Sequence, residues 1–287
     1  MDEKKHIIVT GATSGIGAIT ARELAKEGNH VVIIGRSEAK CQATVAEIKE
    51  QTGQDVDYLL ADFASPQSTS RVAQEYLEKY DRLDILINNA GTFFNNRSDV
   101  NGIEKTLMVN HLAPFMLTMA LLPLLTQTAA ASGQTGRIVN VNSDAHYSGI
   151  NWDDIQYENG YPRMGTRAYG QSKAFNVLFT LELAKRIEGT GVTVNALHPG
   201  VVRTNIFNHA GPFIGVLAKM VIPFIGISAE EGAKTTLMLA QSPELEGVNG
   251  KYYSVLKEKR PLRDLRDEDV WAKAWTMTEE WVKQATN

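Results

Sequence analysis

The sequence predicts an α/β fold with a parallel sheet, and three observations predict it. Short β-branched runs alternate with helical stretches along nearly the whole chain. The first run, His6–Thr10, passes directly into a glycine-rich turn and then a helix, opening a strand–turn–helix–strand unit. No internal repeat, low-complexity tract or linker divides the 287 residues, so the chain is read as one domain.

The elements follow in order. A helix runs from Ile16 to about Lys26, is ended by Gly28-Asn29, and leads to a second strand at His30–Ile34. Residues 37–52 carry a helical pattern and Asp55–Leu60 a strand. A helix over 65–80 is opened by Ser65-Pro66, an N-cap followed by a first-turn proline. Leu83–Ile87 is the fourth strand, and a long apolar helix spans about Ile103 to Thr126. Gly136–Val141 is the fifth strand, and a helix covers about 168–188, with Phe175, Leu178 and Leu183 on its broad apolar face. Gly191–Leu197 is the sixth strand, Ser228 opens another helix, and Gly250–Ser254 is the last strand. The charged tail places Trp271, Trp275 and Trp281 at helical spacings. Two stretches break the rhythm. Ile150–Arg167 is a polar, aromatic-rich loop with Trp152, Tyr157 and Tyr161. Pro212–Ile227 is apolar, interrupted by prolines and glycines, and shorter than the ~20 residues that span a bilayer. It reads first as a substrate lid within a region around 205–227, with a buried core helix or a membrane-surface helix as the alternatives.

Composition removes several function classes. Hydrophobic residues make up 43% of the chain and charged ones 22%, enough for a full core in a soluble protein. The net charge is −4 with no basic stripe, which argues against nucleic acid. A single cysteine, Cys41, excludes an internal disulfide, and the six scattered histidines have no metal-ligand spacing, so no metal is expected. Residues 1–6 are polar, so neither a signal peptide nor an N-terminal anchor is expected, and the expected location is cytoplasmic.

The chemistry gathers at strand ends. Gly11, Gly15 and Gly17 permit a tight turn and close approach of a pyrophosphate to a helix N-terminus; no Lys-Ser/Thr pair follows, so this is not a P-loop. The second strand runs into Gly35-Arg36-Ser37 with no acid at its tip. Arg36 suits a ribose 2′-phosphate and favours NADP over NAD, the alternative being a surface Arg36 with Glu38 turned in as the ribose ligand. Asn88-Asn89-Ala90-Gly91, Asn142-Ser143 and His198-Pro199-Gly200 close three further strands at the edge where open α/β sheets bind ligands. Asn110 is a polar amide in the middle of an apolar helix and needs a partner or a purpose. Tyr169 and Lys173 are four apart on one helix face, an arrangement in which a cation lowers a phenol's pKa and makes it a usable acid or base. Taken alone, such a pair is more often a solvated helix face.

Together these residues resemble the short-chain dehydrogenase/reductase family over nearly the whole chain. The matching motifs are Thr10-Gly11-Ala12-Thr13-Ser14-Gly15-Ile16-Gly17, Asn88-Asn89-Ala90-Gly91, Asn110, Ser143, Tyr169 with Lys173, and Pro199-Gly200 with Thr204. Within the family, Gly35-Arg36, Tyr169-Gly170-Gln171-Ser172-Lys173 and the run from His198 to Thr204 look most like the retinol dehydrogenase group. The polar N-terminus departs from the membrane segment of many of that group.

The resemblance implies a Rossmann-type, doubly wound, seven-stranded parallel sheet with helices on both faces. It implies an NADP(H)-dependent interconversion of a hydrophobic aldehyde or ketone and its alcohol. Tyr169 would pass the proton, Ser143 hydrogen-bond the reacting oxygen, Lys173 lower the Tyr169 pKa and hold the nicotinamide ribose, and Asn110 position a relay water. Gly11, Thr13, Ser14, Gly15, Ile16 and Gly17 would cradle the pyrophosphate, and Arg36 with Ser37 take the 2′-phosphate. Asp62 and Phe63 would border the adenine, Asn89, Ala90 and Gly91 its ribose, and Pro199, Gly200, Val202 and Thr204 the nicotinamide end. Trp152 and Phe213 are candidate substrate contacts. A homo-oligomer through the two long helices is a family habit. A non-turnover NADP(H) sensor and a membrane-surface retinal or lipid carbonyl reductase remain as other readings.

Overall fold

In the computed structural model, which describes residues 4–162, 165–202 and 226–286, the β-branched runs form the expected central sheet. The strands are β1 (His6–Thr10), β2 (His30–Gly35), β3 (Asp57–Leu60), β4 (Ile85–Asn88), β7 (Gly136–Val141), β8 (Val192–His198), β9 (Tyr252–Ser254) and β10 (Lys257–Glu258), with a separate two-residue hairpin of β5 (Asp99–Val100) and β6 (Ile103–Glu104). Sheet order is β10-β9-β8-β7-β4-β1-β2-β3. Seven strands are parallel, as expected; β10 is an additional edge strand, antiparallel to β9.

Each parallel strand alternates its side chains between two apolar layers. Ile7, Val9, Ile33 and Ile87 pack with α1 (Gly15–Lys26), α2 (Glu38–Thr52) and, later in the chain, α6 (Ala229–Gln241). Ile8, Val32, Ile34 and Leu86 face the other layer, with α3 (Pro66–Lys79), α4 (Lys105–Ser132), α5 (Thr166–Arg186) and α7 (Glu268–Thr286). The caps follow the sequence: the Ser65 hydroxyl accepts from Ser68 N at 3.1 Å with Pro66 in the first turn, and Ser228 accepts from Glu231 N at 3.2 Å.

Among the described residues, α4 alone has the length and apolarity of a membrane span. Here that surface serves the core, packed on β7 and α3. The tail tryptophans do the same. Trp275 lies 5.0 Å from Phe115 and 6.0 Å from Phe179, and Trp281 lies 5.3 Å from Phe175, so α7 covers the outer faces of α4 and α5. The loop after Ile150 is anchored by Gln171, which accepts from Asn151 N at 2.9 Å and donates to Ile155 O at 2.7 Å.

A buried polar bridge ties sheet to helices beneath the site. Asn88 Nδ2 donates to Thr118 Oγ1 and to Asn140 Oδ1, and Asn140 Nδ2 donates to Thr180 Oγ1, all at 2.9 Å. Each carboxamide satisfies the next, so removing one strands others. Asn140→Ala is expected to lower stability by about 2 kcal/mol in urea unfolding while leaving the native far-UV spectrum unchanged.

Candidate active site

The site is built where strand order reverses between β1 and β4, paired in parallel at Ile7–Ile85, Ile8–Leu86 and Val9–Ile87. Thr10 locks their ends together. Its hydroxyl donates to Ile87 O at 3.3 Å and accepts from Asn89 N and Ala90 N, both at 2.9 Å. Asn89 answers by donating Nδ2 to Thr10 O at 2.8 Å. Only a bare backbone fits in this crossing. Gly11 has φ +64°, and a Cβ on it would stand 2.8 Å from Ala90 Cα; a Cβ on Gly17 would stand 2.6 Å from Gly11 O and overlap Asn89. Helix α1 then starts at Gly15 with no side chain capping it, the exposed Ser14 hydroxyl making no cap hydrogen bond. Its first N–H groups therefore face the open edge, the arrangement that binds phosphate.

The adenosine end of the groove is less uniform. Gly35 has no room for a side chain, since a Cβ would meet Cys41 Sγ and Thr13 Cγ2 at 2.7 Å. Arg36 is exposed just beyond it, and Ser37 begins α2 without capping it through its side chain. Glu38 points elsewhere: its Oε1 accepts from Tyr58 OH at 3.3 Å and Gln42 Nε2 at 3.5 Å. Asp62 is half-buried and folds its carboxylate onto Ala64 N at 3.0 Å, while Phe63 is 9% exposed and belongs to the core. Only backbone at Phe63 is left to border a ligand. Pro199 is buried, Gly200 has φ +98°, and Val202 packs against Gly232 beside Ile16, which brings the end of β8 over the start of α1. Thr204, Phe213 and the 205–225 part of the expected lid lie outside the described residues.

The reactive groups meet on α5. Gly165 has φ +66° and starts the helix against the Phe94 carbonyl, where any Cβ would overlap. The first turn then presents Tyr169, whose ring lies 5.5 Å from that of Phe93. The Ser143 hydroxyl lies beside the Tyr169 phenol and favours its ionised form. Ser143 is fixed by its neighbours: its N–H donates to Asn142 Oδ1 at 2.8 Å, its hydroxyl accepts from Ala145 N at 3.1 Å, and its carbonyl is 2.8 Å from His146 Nδ1. Asn142 in turn donates to Lys173 O at 3.0 Å. Gly170 lets this turn press on the helix, because a Cβ there would stand 2.6 Å from Ala145 O.

Lys173 is 3% exposed and donates to Val141 O at 3.2 Å, its ammonium 5.7 Å from the Tyr169 ring centre. A Cβ on Gly91 would be 3.5 Å from Lys173 Nζ and 3.6 Å from Asn110 Oδ1, so the loop after β4 runs over both. Asn110 closes the set, accepting from Thr92 N at 2.7 Å and donating to Thr92 O at 2.9 Å and Ser172 Oγ at 3.0 Å. All four candidate catalytic residues therefore converge. The electrostatics differ from the expectation of a cation-lowered phenol. Burial pushes Tyr169 up to about 12, opposed by the neighbouring Ser143 hydroxyl, and burial pulls Lys173 down to about 8. With Lys173 turned to a strand carbonyl, desolvation outweighs its influence on the phenol.

Trp152 also departs from its expected part. Its ring is 6.0 Å from Phe175 and lies under Lys273 Nζ at 4.2 Å, so it anchors the loop to α5 and α7 instead of lining the site. Phe93, Gly170 and Asn142 shape the site although motif reading assigns them no role in it; the first carries no signal of its own in the sequence.

Two measurements test this geometry. Gly170→Ala is expected to displace the Ser143 turn at a cost of about 1–3 kcal/mol, lowering turnover far more than cofactor affinity. For Lys173, the unfolded chain holds its proton up to the ordinary 10.5 and the folded chain only to about 8. Stability from this group should therefore rise as pH climbs from 8 toward 10.5, and urea titrations of Lys173→Met should show that rise lost.

Comparisons with known proteins agree with the geometry. The sequence model described as short chain dehydrogenase matches residues 5–213. Human retinol dehydrogenase 14 is 39% identical over 97% of this chain and 86% of its own length. Human polyprenol dehydrogenase is 37% identical over 94% and 84%. The Pseudomonas aeruginosa RhlG/NADP active-site complex superposes with a TM-score of 0.69 at 30% identity, covering 87% of this chain and 94% of that one. The chain belongs to the short-chain dehydrogenase/reductase family, is similar to its retinol dehydrogenases, and is an oxidoreductase.

Proposed function

We propose that this oxidoreductase uses NADP(H) to interconvert a hydrophobic aldehyde or ketone and its alcohol, with Tyr169 as the proton donor and acceptor. The observation that carries the reading is the Ser143–Tyr169–Lys173 constellation, set at the open end of a glycine-lined groove. When bound, the dinucleotide supplies or accepts the hydride at the substrate carbon. The chain's own residues do the rest. Ser143 and Tyr169, side by side, present two hydroxyls to one substrate oxygen. A phenol up at about 12 is protonated at neutral pH and ready to donate, and Ser143 stabilises charge that develops on the oxygen. Lys173, down at about 8, can exchange a proton near neutrality and would hold the nicotinamide ribose.

The groove fits a 2′-phosphorylated dinucleotide. Uncapped N–H groups at α1 meet the pyrophosphate, Arg36 is exposed with no acidic partner among the described residues, and Glu38 is occupied by Tyr58 and Gln42. This favours Arg36 and Ser37 at the 2′-phosphate over Glu38 at the ribose. The apolar substrate is supported by Phe93 beside Tyr169 and by relatives named for retinol and polyprenol, both lipid-like alcohols. A complete reactive set gives the non-turnover sensor no support. Because α7 covers α4 and α5, the expected two-helix homo-oligomer would compete with it, which weighs against that assembly. A cytoplasmic setting is part of the proposal, in keeping with one buried, unpaired cysteine; co-sedimentation with liposomes would move the enzyme to a membrane surface.

The test is loss of NADPH absorbance with a panel of aldehydes and ketones that includes retinal, with NADH in parallel. Turnover with NADPH is expected, and none with any substrate overturns the reading. Tyr169→Phe should lose roughly 10²–10⁴-fold in kcat with NADPH binding nearly intact. Arg36→Glu should shift kcat/KM toward NADH by about tenfold, ~1.4 kcal/mol; unchanged selectivity would make Arg36 a bystander.

A further inference from the structure

Asn110 sits where α4 departs from α-helical geometry. Met108–Leu112 wind as a π-helical turn, a form that needs outside support to persist. The main-chain carbonyl of Asn110 finds that support on α5, accepting from Asn176 Nδ2 at 2.7 Å. Asn176 is 6% exposed, and its other end reaches back to the same turn, with Oδ1 3.1 Å from His111 Nδ1. His111 Nε2 is 2.8 Å from Thr278 Oγ1 on α7. His111 and Thr278 are each 1% exposed. The result is a buried line of contacts from the C-terminal helix to the backbone of a candidate catalytic residue.

Counting hydrogens gives the line a direction. Asn176 commits its amide group to Asn110 O, so its oxygen faces His111 and can only accept. His111 must then carry its proton on Nδ1. Complete burial lowers His111 to about 4 and keeps it neutral, so Nε2 accepts from the Thr278 hydroxyl. That hydroxyl has one proton and an alternative acceptor within its own helix, Ala274 O at 2.7 Å. The chain runs Thr278 to His111 to Asn176 to Asn110, each donor polarising the next.

We propose that Asn176 is a positioning residue for Asn110, backed by His111 and Thr278, and that α7 is thereby part of the active-site scaffold. The proposal rests on the carbonyl-reductase reading of the site. Without the Asn176 amide, the Asn110 carbonyl loses its partner, and Pro114, four residues on, has no N–H to replace it, so the turn shifts to another winding. A change of one residue in the turn rotates the downstream helix by about 100°. Asn110 would then leave Thr92 and Ser172, releasing the loop that carries Gly91 and Phe93 onto Lys173 and Tyr169.

The test compares full-length wild type with Asn176→Leu, Thr278→Val, Thr278→Ser and, on the exposed face of α7, Thr276→Val. Each is assayed for kcat, carbonyl KM, NADPH affinity by fluorescence, and melting temperature. Asn176→Leu is expected to lower kcat roughly tenfold to a hundredfold with NADPH affinity little changed. Thr278→Val should show a smaller loss of the same kind that Thr278→Ser restores, and Thr276→Val should match wild type. If Asn176→Leu does not fold, the Thr278 pair decides. Wild-type kcat in Asn176→Leu, or equal losses in Thr278→Val and Thr276→Val, overturns the proposal alone. A wild type that turns over no carbonyl overturns it together with the carbonyl-reductase reading.

Discussion

The constraint on which the rest of the structure depends is the crossing of two backbones at the ends of β1 and β4. Sheet order reverses there, so the chain leaves β1 and β4 over the same patch of edge and opens a crevice between them. Thr10 and Asn89 hold the two exits together by hydrogen bonds that run both ways. Gly11 and Gly17 give the room for that contact. This junction sets the positions of the others. Gly91 continues past it onto Lys173 and Asn110, and α1 leaves from it with its amides exposed.

Polar groups are buried here in two distinct ways. Asn88, Asn140, Thr118 and Thr180 are tied to one another through their amide donors, and such a set rigidifies the sheet under the site. Lys173 is different. It is nearly as buried, yet an ammonium with three donors is given a single carbonyl, Val141 O, and burial is the cause of its shift to about 8. Donors left without partners in a buried cation are the groups a ribose would satisfy. Tyr169 likewise has the Ser143 hydroxyl beside it and an apolar wall in Phe93. The site gives up stability at the groups the proposed chemistry would use.

Much of this is legible in the sequence because glycines, prolines and caps act locally. The Ser65-Pro66 start, the Gly28-Asn29 stop and all seven parallel strands appear close to where β-branched periodicity puts them, with β3, β4 and β9 shifted by two residues at their starts. The hairpin of β5 and β6 goes unpredicted although its signal is present. Asn101-Gly102 adopts φ values of +52° and +81° between Val100 and Ile103, which is the commonest two-residue hairpin turn. Strand β10 is hidden for the opposite reason: Val255 and Leu256 turn the chain at positive φ, a conformation their side chains disfavour and no sequence rule anticipates. The four reactive residues are readable as motifs, but the state of Tyr169 is not. Helix spacing gives the proximity of Lys173; only the folded chain shows that desolvation outweighs it.

Long-range support for the site is the least legible part. Trp275 and Trp281 are visible as a helical stripe, and a stripe says that a helix packs without saying on which surface. The surface under α7 is the pair of helices bearing Asn110, Tyr169 and Lys173, and α7 closes that face with aromatic rings and an arginine, Arg186, 4.3 Å above Trp275. A face closed by the chain's own tail has no need of a second copy to bury it. The same packing that covers the two helices brings Thr278 to His111. Self-coverage and wiring of the π-turn are one structural event, since a helix tight enough to exclude water from Phe115 and Phe179 is also tight enough to fix a buried hydrogen bond beside them.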